Sequence, residues 1–230
     1  MNQHNTTGII LTRTDYGEAD RIITLLTPDH GKLKLMAKGV RRIKSKLAGG
    51  IELFSVSNIT FIRGKGNIGT LVSTRLIKHH GKIIQDIERV QLGYGLIKTL
   101  NKITEDETEI AYFTMLAEVF AALDDAAISK ELIECWFYSQ LLRHGGFAPN
   151  LSTEIGGEKL VASKTYNFSY DDSAFRASTT GQFTADHIKF LRLLLSGNQP
   201  KILQQVQGSD ELLQVCFPLA QTMLHQHLNV

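Results

Sequence analysis

Lys32-Leu33-Lys34-Leu35-Met36-Ala37 alternates charged and apolar residues with a period of two. In an extended chain that spacing puts Leu33 and Leu35 on one face and Lys32 and Lys34 on the other, so one face enters a core and the other meets solvent. Working outward, Gly8-Ile9-Ile10-Leu11-Thr12-Arg13 and Arg21-Ile22-Ile23-Thr24-Leu25-Leu26 precede it. Phe54 to Ile62 and Thr70 to Lys78 follow it, and these two alternate less strictly. All are short runs of β-forming residues. Turn residues separate them at Tyr16-Gly17, Pro28-Asp29-His30-Gly31, Gly49-Gly50 and Gly64-Lys65-Gly66-Asn67.

Five short strands punctuated in this way predict a small closed barrel of the OB type. Beyond Ile83 the spacing turns helical. Ile110, Phe113, Leu116, Ala117, Phe120 and Leu123 form one stripe, and Ile128, Leu132, Ile133, Trp136, Phe137 and Leu141 form another. Ser129 is placed to cap the second, and Gly145-Gly146 to end it. Ile188, Leu191, Leu194 and Leu195 give a shorter helix. A last one runs from about Asp210 to His227, with Pro218 kinking or interrupting it. Between Phe147 and Ser178 the helical period is lost. There Asn150 to Gly157 reads as a loop, and Val161, Tyr166, Phe168 and Tyr170 as a small β excursion. The expected architecture is α+β. A five-stranded OB-type barrel spans 1–83, and a mainly helical domain spans 84–230 with a small irregular or β insertion at 147–180. The boundary falls near Gly81 to Asp86.

The 230 residues suffice for one large domain or two small ones. Apolar content of 43% and charged content of 21% are ordinary for a soluble globular protein. No apolar run nears the ~18–20 residues of a membrane span. Met1-Asn2-Gln3-His4-Asn5 has neither a basic start nor an apolar stretch, so no signal peptide is expected. Two cysteines, Cys135 and Cys216, lie in helix-like apolar patterns. They are too few for a disulfide scaffold and fit a reducing cytoplasm.

The net charge of +2 conceals an asymmetry. Residues 1–83 hold 14 Lys and Arg against 5 Asp and Glu, a net +9, which leaves −7 for the remainder. A small unit at +9 attracts polyanions. The densest stretch is Lys38-Gly39-Val40-Arg41-Arg42-Ile43-Lys44-Ser45-Lys46, and no Asp or Glu occurs from His30 through Ile51. It lies between the third and fourth strands, where glycine and serine leave a mobile basic loop able to follow a phosphate backbone. Arg offers paired bonds to phosphate oxygens and Lys a point charge. A charge run is usually only a solvated surface. Here the missing acids, and support from Lys32, Lys34, Arg63, Lys65, Arg75, Lys78 and Lys82, favour nucleic acid. Tyr16, Phe54 and Phe61 are the aromatics of this part, and Phe54 and Phe61 are equally readable as core. The pattern therefore supports backbone contact over base stacking. Binding should show little sequence preference, and engaging ~5 phosphates would give a salt slope near −3.5 for single strands and −4.5 for duplex.

Other motifs reduce to structure. Gly64-Lys65-Gly66-Asn67-Ile68-Gly69 matches G-x-G-x-x-G, but a strand-like segment follows where a dinucleotide site needs a helix, so it reads as a hairpin tip. Asp15, Glu18 and Asp20 surround a turn at Gly17, which points to turn chemistry over a metal or a nuclease centre. His79 and His80 would face opposite sides of a strand, and His225 and His227 diverge on a helix, so neither pair chelates. Cys135 and Cys216 read as core. No nucleophile comes with a recognisable partner, and no catalytic centre is expected. An OB-fold RNA-binding factor of another class is the alternative reading.

Several stretches resemble the RecO family of recombination mediators. Near the start they are Gly8-Ile9-Ile10-Leu11, Tyr16-Gly17-Glu18-Ala19-Asp20-Arg21-Ile22, Leu26-Thr27, His30-Gly31-Lys32, Ala37-Lys38-Gly39-Val40-Arg41-Arg42 and Leu53-Phe54, followed by the Arg63-Gly64 to Thr70-Leu71 hairpin. Later Leu141-Leu142-Arg143-His144-Gly145-Gly146-Phe147-Ala148-Pro149-Asn150-Leu151 and Leu224-His225-Gln226-His227-Leu228 resemble the family's helix end and last helix. The resemblance implies an N-terminal OB domain, a helical C-terminal domain and a role in recombinational repair of DNA damage in the cytoplasm, associated with the nucleoid. It implies binding of single- and double-stranded DNA, strand annealing, and RecA loading together with RecR. It also implies contact with the C-terminal tail of the single-stranded-DNA-binding protein. Lys38, Arg41 and Arg42 match the family's basic motif and take DNA binding from it, while Lys44 and Lys46 join them on charge alone. Many relatives carry a four-cysteine zinc site after the Pro-Asn motif. Here Ser152-Thr153-Glu154-Ile155-Gly156-Gly157 and Phe168 to Thr179 contain no cysteine. No zinc or other cofactor is therefore expected, and Val161, Tyr166, Phe168, Tyr170 and Phe175 should hold the segment by packing.

Overall fold

Five strands close into a barrel in the order β1-β2-β3-β5-β4: β1 (Gln3–Tyr16), β2 (Asp20–Thr27), β3 (Gly31–Ala37), β4 (Ser55–Ile62) and β5 (Ile68–His79). The computed structural model describes residues 2–64, 66–105 and 109–228. Neighbouring strands run antiparallel except β3 and β5, which are parallel over the short register Lys34↔Ile68 to Met36↔Thr70. Ile10, Ile23, Leu25, Leu35, Ile59, Phe61 and Leu71 fill the interior, joined by Val40 and Ile51 from the β3–β4 connection.

Gly8 to Leu11 are buried at four consecutive positions. A strand with one wet face cannot do that, because neighbouring side chains point to opposite sides. Here the outer face is covered too. The helix α1 (Ile87–Ile103) packs on β1 and α2 (Ile110–Leu123) on β2. This double burial is why Ile9-Ile10-Leu11 and Leu25-Leu26 read as runs and not as alternations. Phe54, buried at φ 57°, meets Phe120 and Tyr94 edge-on, with ring centroids 5.4 and 5.5 Å away. A Cβ at Gly93 would come within 2.6 Å of the Phe54 ring, so only glycine lets α1 approach this closely. Asp86 caps α1 by accepting from the Glu88 and Arg89 amides. Arg89 in turn donates to the Ala122, Leu123 and Asp125 carbonyls, satisfying the end of α2 and matching its dipole. Both helices therefore fall in the same compact unit as the barrel, residues 1–125, and residues 126–230 form a second unit.

The second unit contains α3 (Lys130–His144), β6 (Asn150–Glu154), β7 (Tyr166–Ser169), β8 (Ala174–Ala177), α4 (Ala185–Leu195), α5 (Pro200–Leu203) and α6 (Ser209–Leu228). Ser129 caps α3 by accepting from the Leu132 amide at 3.2 Å, and Gly146 turns the chain away at φ +79°. Three expectations are corrected. First, α6 is not interrupted at Pro218, and Leu213, Cys216, Leu219, Ala220, Met223 and Leu224 are buried on both sides of it. Second, Asn150 to Gly157 is not all loop, since its first five residues form β6. That strand pairs with β8 only at Asn150↔Ala174 and Glu154↔Phe175, too sparsely to impose an alternating pattern. Third, Val161 stays 41% exposed, and Phe183, at 1%, packs with Tyr166 and Phe175 instead. Among the described residues no helix is long and apolar enough to cross a membrane.

Candidate nucleic-acid interface

The cations of the barrel fall into two groups at opposite ends of β3. At its start, Lys32 and Lys34 point outward beside the β4–β5 turn. With His30, Arg63, Asn67 and Gly69 they line a cavity of about 390 Å³. The Arg63 guanidinium lies 3.3 Å from Nδ1 of His30. Lys32 is tied to α1, its ammonium donating to the carbonyl and side-chain oxygens of Asn101 at 2.9 and 3.2 Å. Lys65 lies outside the described residues. The glycine-rich turn is followed by β5, so its spacing serves a hairpin.

At the other end of β3, the 38–46 loop departs from the expected mobility. Val40 is buried in the barrel core. The Gly39 amide donates to the Asp20 carboxylate at 2.7 Å, and the Arg41 amide to the Ala19 carbonyl at 2.9 Å. The Arg41 side chain donates to the Gly17 carbonyl at 3.2 Å and pairs with Asp15 at 3.5 Å. Gly39 to Arg41 are thus pinned to the β1–β2 turn. Lys38, Arg42, Lys44 and Lys46 stand exposed, and among the described residues none of these four side chains has a hydrogen-bonded or ionic partner.

The acids explain this surplus. Arg21 donates to Asp15 at 2.7 Å, and that bond, with Arg41 nearby, holds the Asp15 carboxyl below its usual range. Asp20 binds the Gly39 amide, Asp29 the Thr6 hydroxyl, and Glu52 pairs with Arg13 at 2.7 Å. Four of the five carboxylates in residues 1–83 are therefore engaged in holding the fold, and the loop cations are left uncompensated. Asp15 and Asp20 serve the turn, and among the described residues no cluster of three or more His, Cys, Asp or Glu is arranged to hold a metal.

Arg75 lies away from the β4–β5 turn, seven residues along β5 from Ile68, roughly 23 Å by strand rise, and paired across from Asn58. Its neighbour Thr74 donates to the Leu47 carbonyl at 3.3 Å, just past the 38–46 loop. Phe54 and Phe61 are buried at 2% and 1%, which leaves Tyr16, 56% exposed, as the open ring of the first 83 residues. His79 is exposed and His80 buried, so they do face opposite ways.

Zinc does not fit the segment after α3. Residues 145–186 contain neither cysteine nor histidine, and the strands there carry Tyr166, Phe168 and Phe175. Burial pushes the Cys135 thiol up, and the Cys216 thiol up to about 12, so both are protonated core groups.

Comparison with known proteins gives the family. A model of the N-terminal region of recombination protein O matches residues 1–80, and a model of its C-terminal region matches residues 84–230. The chain is similar to a protein from Dehalococcoides mccartyi named DNA repair protein RecO, at 31% identity over 205 residues, covering 86% of this chain and 80% of the relative. It is also similar to proteins of the same name from Bifidobacterium longum, at 31% identity over 66% of this chain and 65% of the relative, and from Streptomyces avermitilis, at 33% identity over 63% and 62%. In the last two cases the match spans under two thirds of the relative's length.

Proposed function

The chain belongs to the RecO family of DNA repair proteins, and on that premise we propose that it binds single- and double-stranded DNA without reading sequence. The observation that carries this reading is the group of four unpartnered cations at Lys38, Arg42, Lys44 and Lys46, displayed on a loop whose backbone is anchored at Gly39 to Arg41. Lys32, Lys34, Arg63, Lys65 and Arg75 extend the positive field. Along β3, Lys38 lies about 20 Å from Lys32 and about 13 Å from Lys34, so the two groups can contact different phosphates of one strand. Bonds to phosphate oxygens alone cannot distinguish bases, so such a surface takes any sequence.

The chemistry is noncovalent. A dense cationic surface lowers the repulsion between two complementary strands and so promotes their annealing. With RecR as partner, the protein would aid RecA loading onto coated strands. Contact with the acidic tail of the single-stranded-DNA-binding protein would bring it to them. That contact would lie in the helical region, but the groove between α4 and α6 carries Asp186 and Glu211 beside Lys189 and is no built site for an acidic peptide.

The test is the quadruple variant Lys38→Ala, Arg42→Ala, Lys44→Ala, Lys46→Ala, which leaves the anchoring Arg41 in place. DNA binding and annealing should weaken, and the salt slope for single strands should become shallower by about 3. The thermal melt should stay nearly unchanged, since these side chains are exposed. Unchanged affinity would refute the loop assignment. Tighter binding to RNA than to single-stranded DNA of equal length would favour an RNA-binding role.

A further inference from the structure

Within the first unit, a groove of about 520 Å³ runs between β1 and α1. Leu11, Leu53 and Ile97 line its apolar part, and Tyr94, Gly95 and Lys98 its α1 side. Three features distinguish it from an incidental cleft.

Tyr94 is half-exposed, yet its ring is backed by Phe54 at 5.5 Å and 77°, and Gly93 holds the helix hard against that same Phe54. A ring positioned in this way loses little freedom when something stacks on it. Gly95 is the second feature. Glycine weakens a helix interior, and Gly93 has a reason to be there, the approach to Phe54. Gly95 has no such reason, because a Cβ there would meet nothing within 4 Å. What its bareness does is keep the groove wall open beside Tyr94. The third feature is charge. Lys98, one turn beyond Tyr94, has no partner among the described residues, and from Arg89 to Thr104 there is no carboxylate. Arg13, paired with Glu52, also lines the groove. At its end, Asn101 receives the Lys32 ammonium, which also lines the cavity by β3.

We infer that this groove is a subsite for one unpaired nucleotide of single-stranded DNA, its base stacked on Tyr94 over Gly95 and its phosphate held by Lys98. The inference rests on the DNA-binding reading and deepens it. The barrel supplies charge that does not distinguish single strands from duplex, and the groove adds a contact that only an unstacked base can make. Nothing in the strand-forming part of the sequence signalled it. The signal lies in Gly93-Tyr94-Gly95, two glycines around a tyrosine within a helix.

The test compares single-strand and duplex binding by fluorescent oligonucleotides across a salt series. Tyr94→Ala should weaken single-strand binding roughly tenfold, the scale of one base–aromatic stack, with the salt slope unchanged and duplex binding within about twofold. Tyr94→Phe should bind as the parent does. Gly95→Leu fills the groove while favouring the helix, so it should melt no lower than the parent and still lose single-strand affinity about fivefold or more. Lys98→Ala should reduce the single-strand slope by about 0.7. The inference is overturned if Tyr94→Ala and Gly95→Leu leave single-strand affinity intact, or lower single-strand and duplex binding alike. Groove variants without effect, beside loop variants that abolish binding, would remove the groove and keep the DNA reading. A parent protein that binds neither form would remove both.

Discussion

The five-stranded barrel and the three-stranded sheet of the second unit both bury short strands, but with different side chains. The barrel encloses aliphatic residues, Ile10, Ile23, Leu25, Leu35 and Ile59, around the single ring of Phe61. The small sheet encloses rings. Tyr166, Phe175 and Phe183 are nearly fully buried and meet edge-on, with Phe168 against Phe175 at 5.1 Å. Gly181 lies so close to the Tyr166 backbone that a Cβ would collide with it. In the barrel the cations Lys38, Arg42, Lys44 and Lys46 stand outside the packing, so their charge can be removed while the fold remains. In the small sheet even the charged groups are structural: Glu154 accepts from Lys164 and from the Ala177 amide, tying β6 to β8. Where side chains are needed for packing they cannot be varied for binding. Four of the barrel's loop cations, Lys38, Arg42, Lys44 and Lys46, carry no such duty, while Arg41 holds the β1–β2 turn.

The largest effect that sharpens this contrast is expected from Phe175→Ala. Losing a fully buried ring should lower the stability of the second unit by roughly 3–5 kcal/mol, read by denaturant unfolding, while the oligonucleotide affinity of the folded protein holds. A loss below ~1 kcal/mol would mean that the ring cluster does not hold the sheet. Next is an acid effect in the first unit. His80 is 1% exposed, and burial, reinforced by Lys78, pushes its imidazole down to about 4, against the weaker pull of Asp124 at 3.9 Å. The unfolded chain takes up this proton near pH 6.5, before the folded one does. Stability should therefore fall as pH drops from about 6.5 towards 4, by roughly 3 kcal/mol at the lower end. In His80→Gln that part of the pH dependence of the melting temperature should flatten, and a parallel curve would assign the acid sensitivity elsewhere. The smallest effect is expected from Asp20→Ala, which strips the Gly39 amide of its acceptor. It should cost about 1 kcal/mol and speed hydrogen exchange at Gly39 and Arg41. If exchange there is unchanged, the loop is not pinned by this bond.

Much of the barrel was legible in the sequence because β3 has one wet face, and Leu33 and Leu35 between lysines announce it. β1 and β2 were legible as strands but not as doubly covered ones. The residues of α1 and α2 that cover Ile9, Leu11 and Leu26 lie some sixty or more positions further along the chain, and no local window reports such a distance. The cations of the interface were legible as a composition. Their division into two groups was not, nor was the distance of Arg75 from the β4–β5 turn, because both follow from strand order. Phe183 escaped because it lies outside the β-like run it packs against. β6 escaped because two paired positions leave no periodic trace.

By itself, the sequence determined the five strands of the barrel and four of the helices that follow, the surplus of cations in the first 83 residues and the absence of thiols in the segment after α3. These depend on which residues are neighbours along the chain. Tertiary structure decided which cations remain unpaired, since each acid's partner is chosen across the fold: Asp20 by Gly39, Asp15 by Arg21 and Arg41, Glu52 by Arg13. It also decided that Tyr94 is half-exposed and that Gly95 borders a groove. The physical reason is that pairing and burial act through space over a few ångströms, and closing the barrel brings together residues that lie tens of positions apart in the chain.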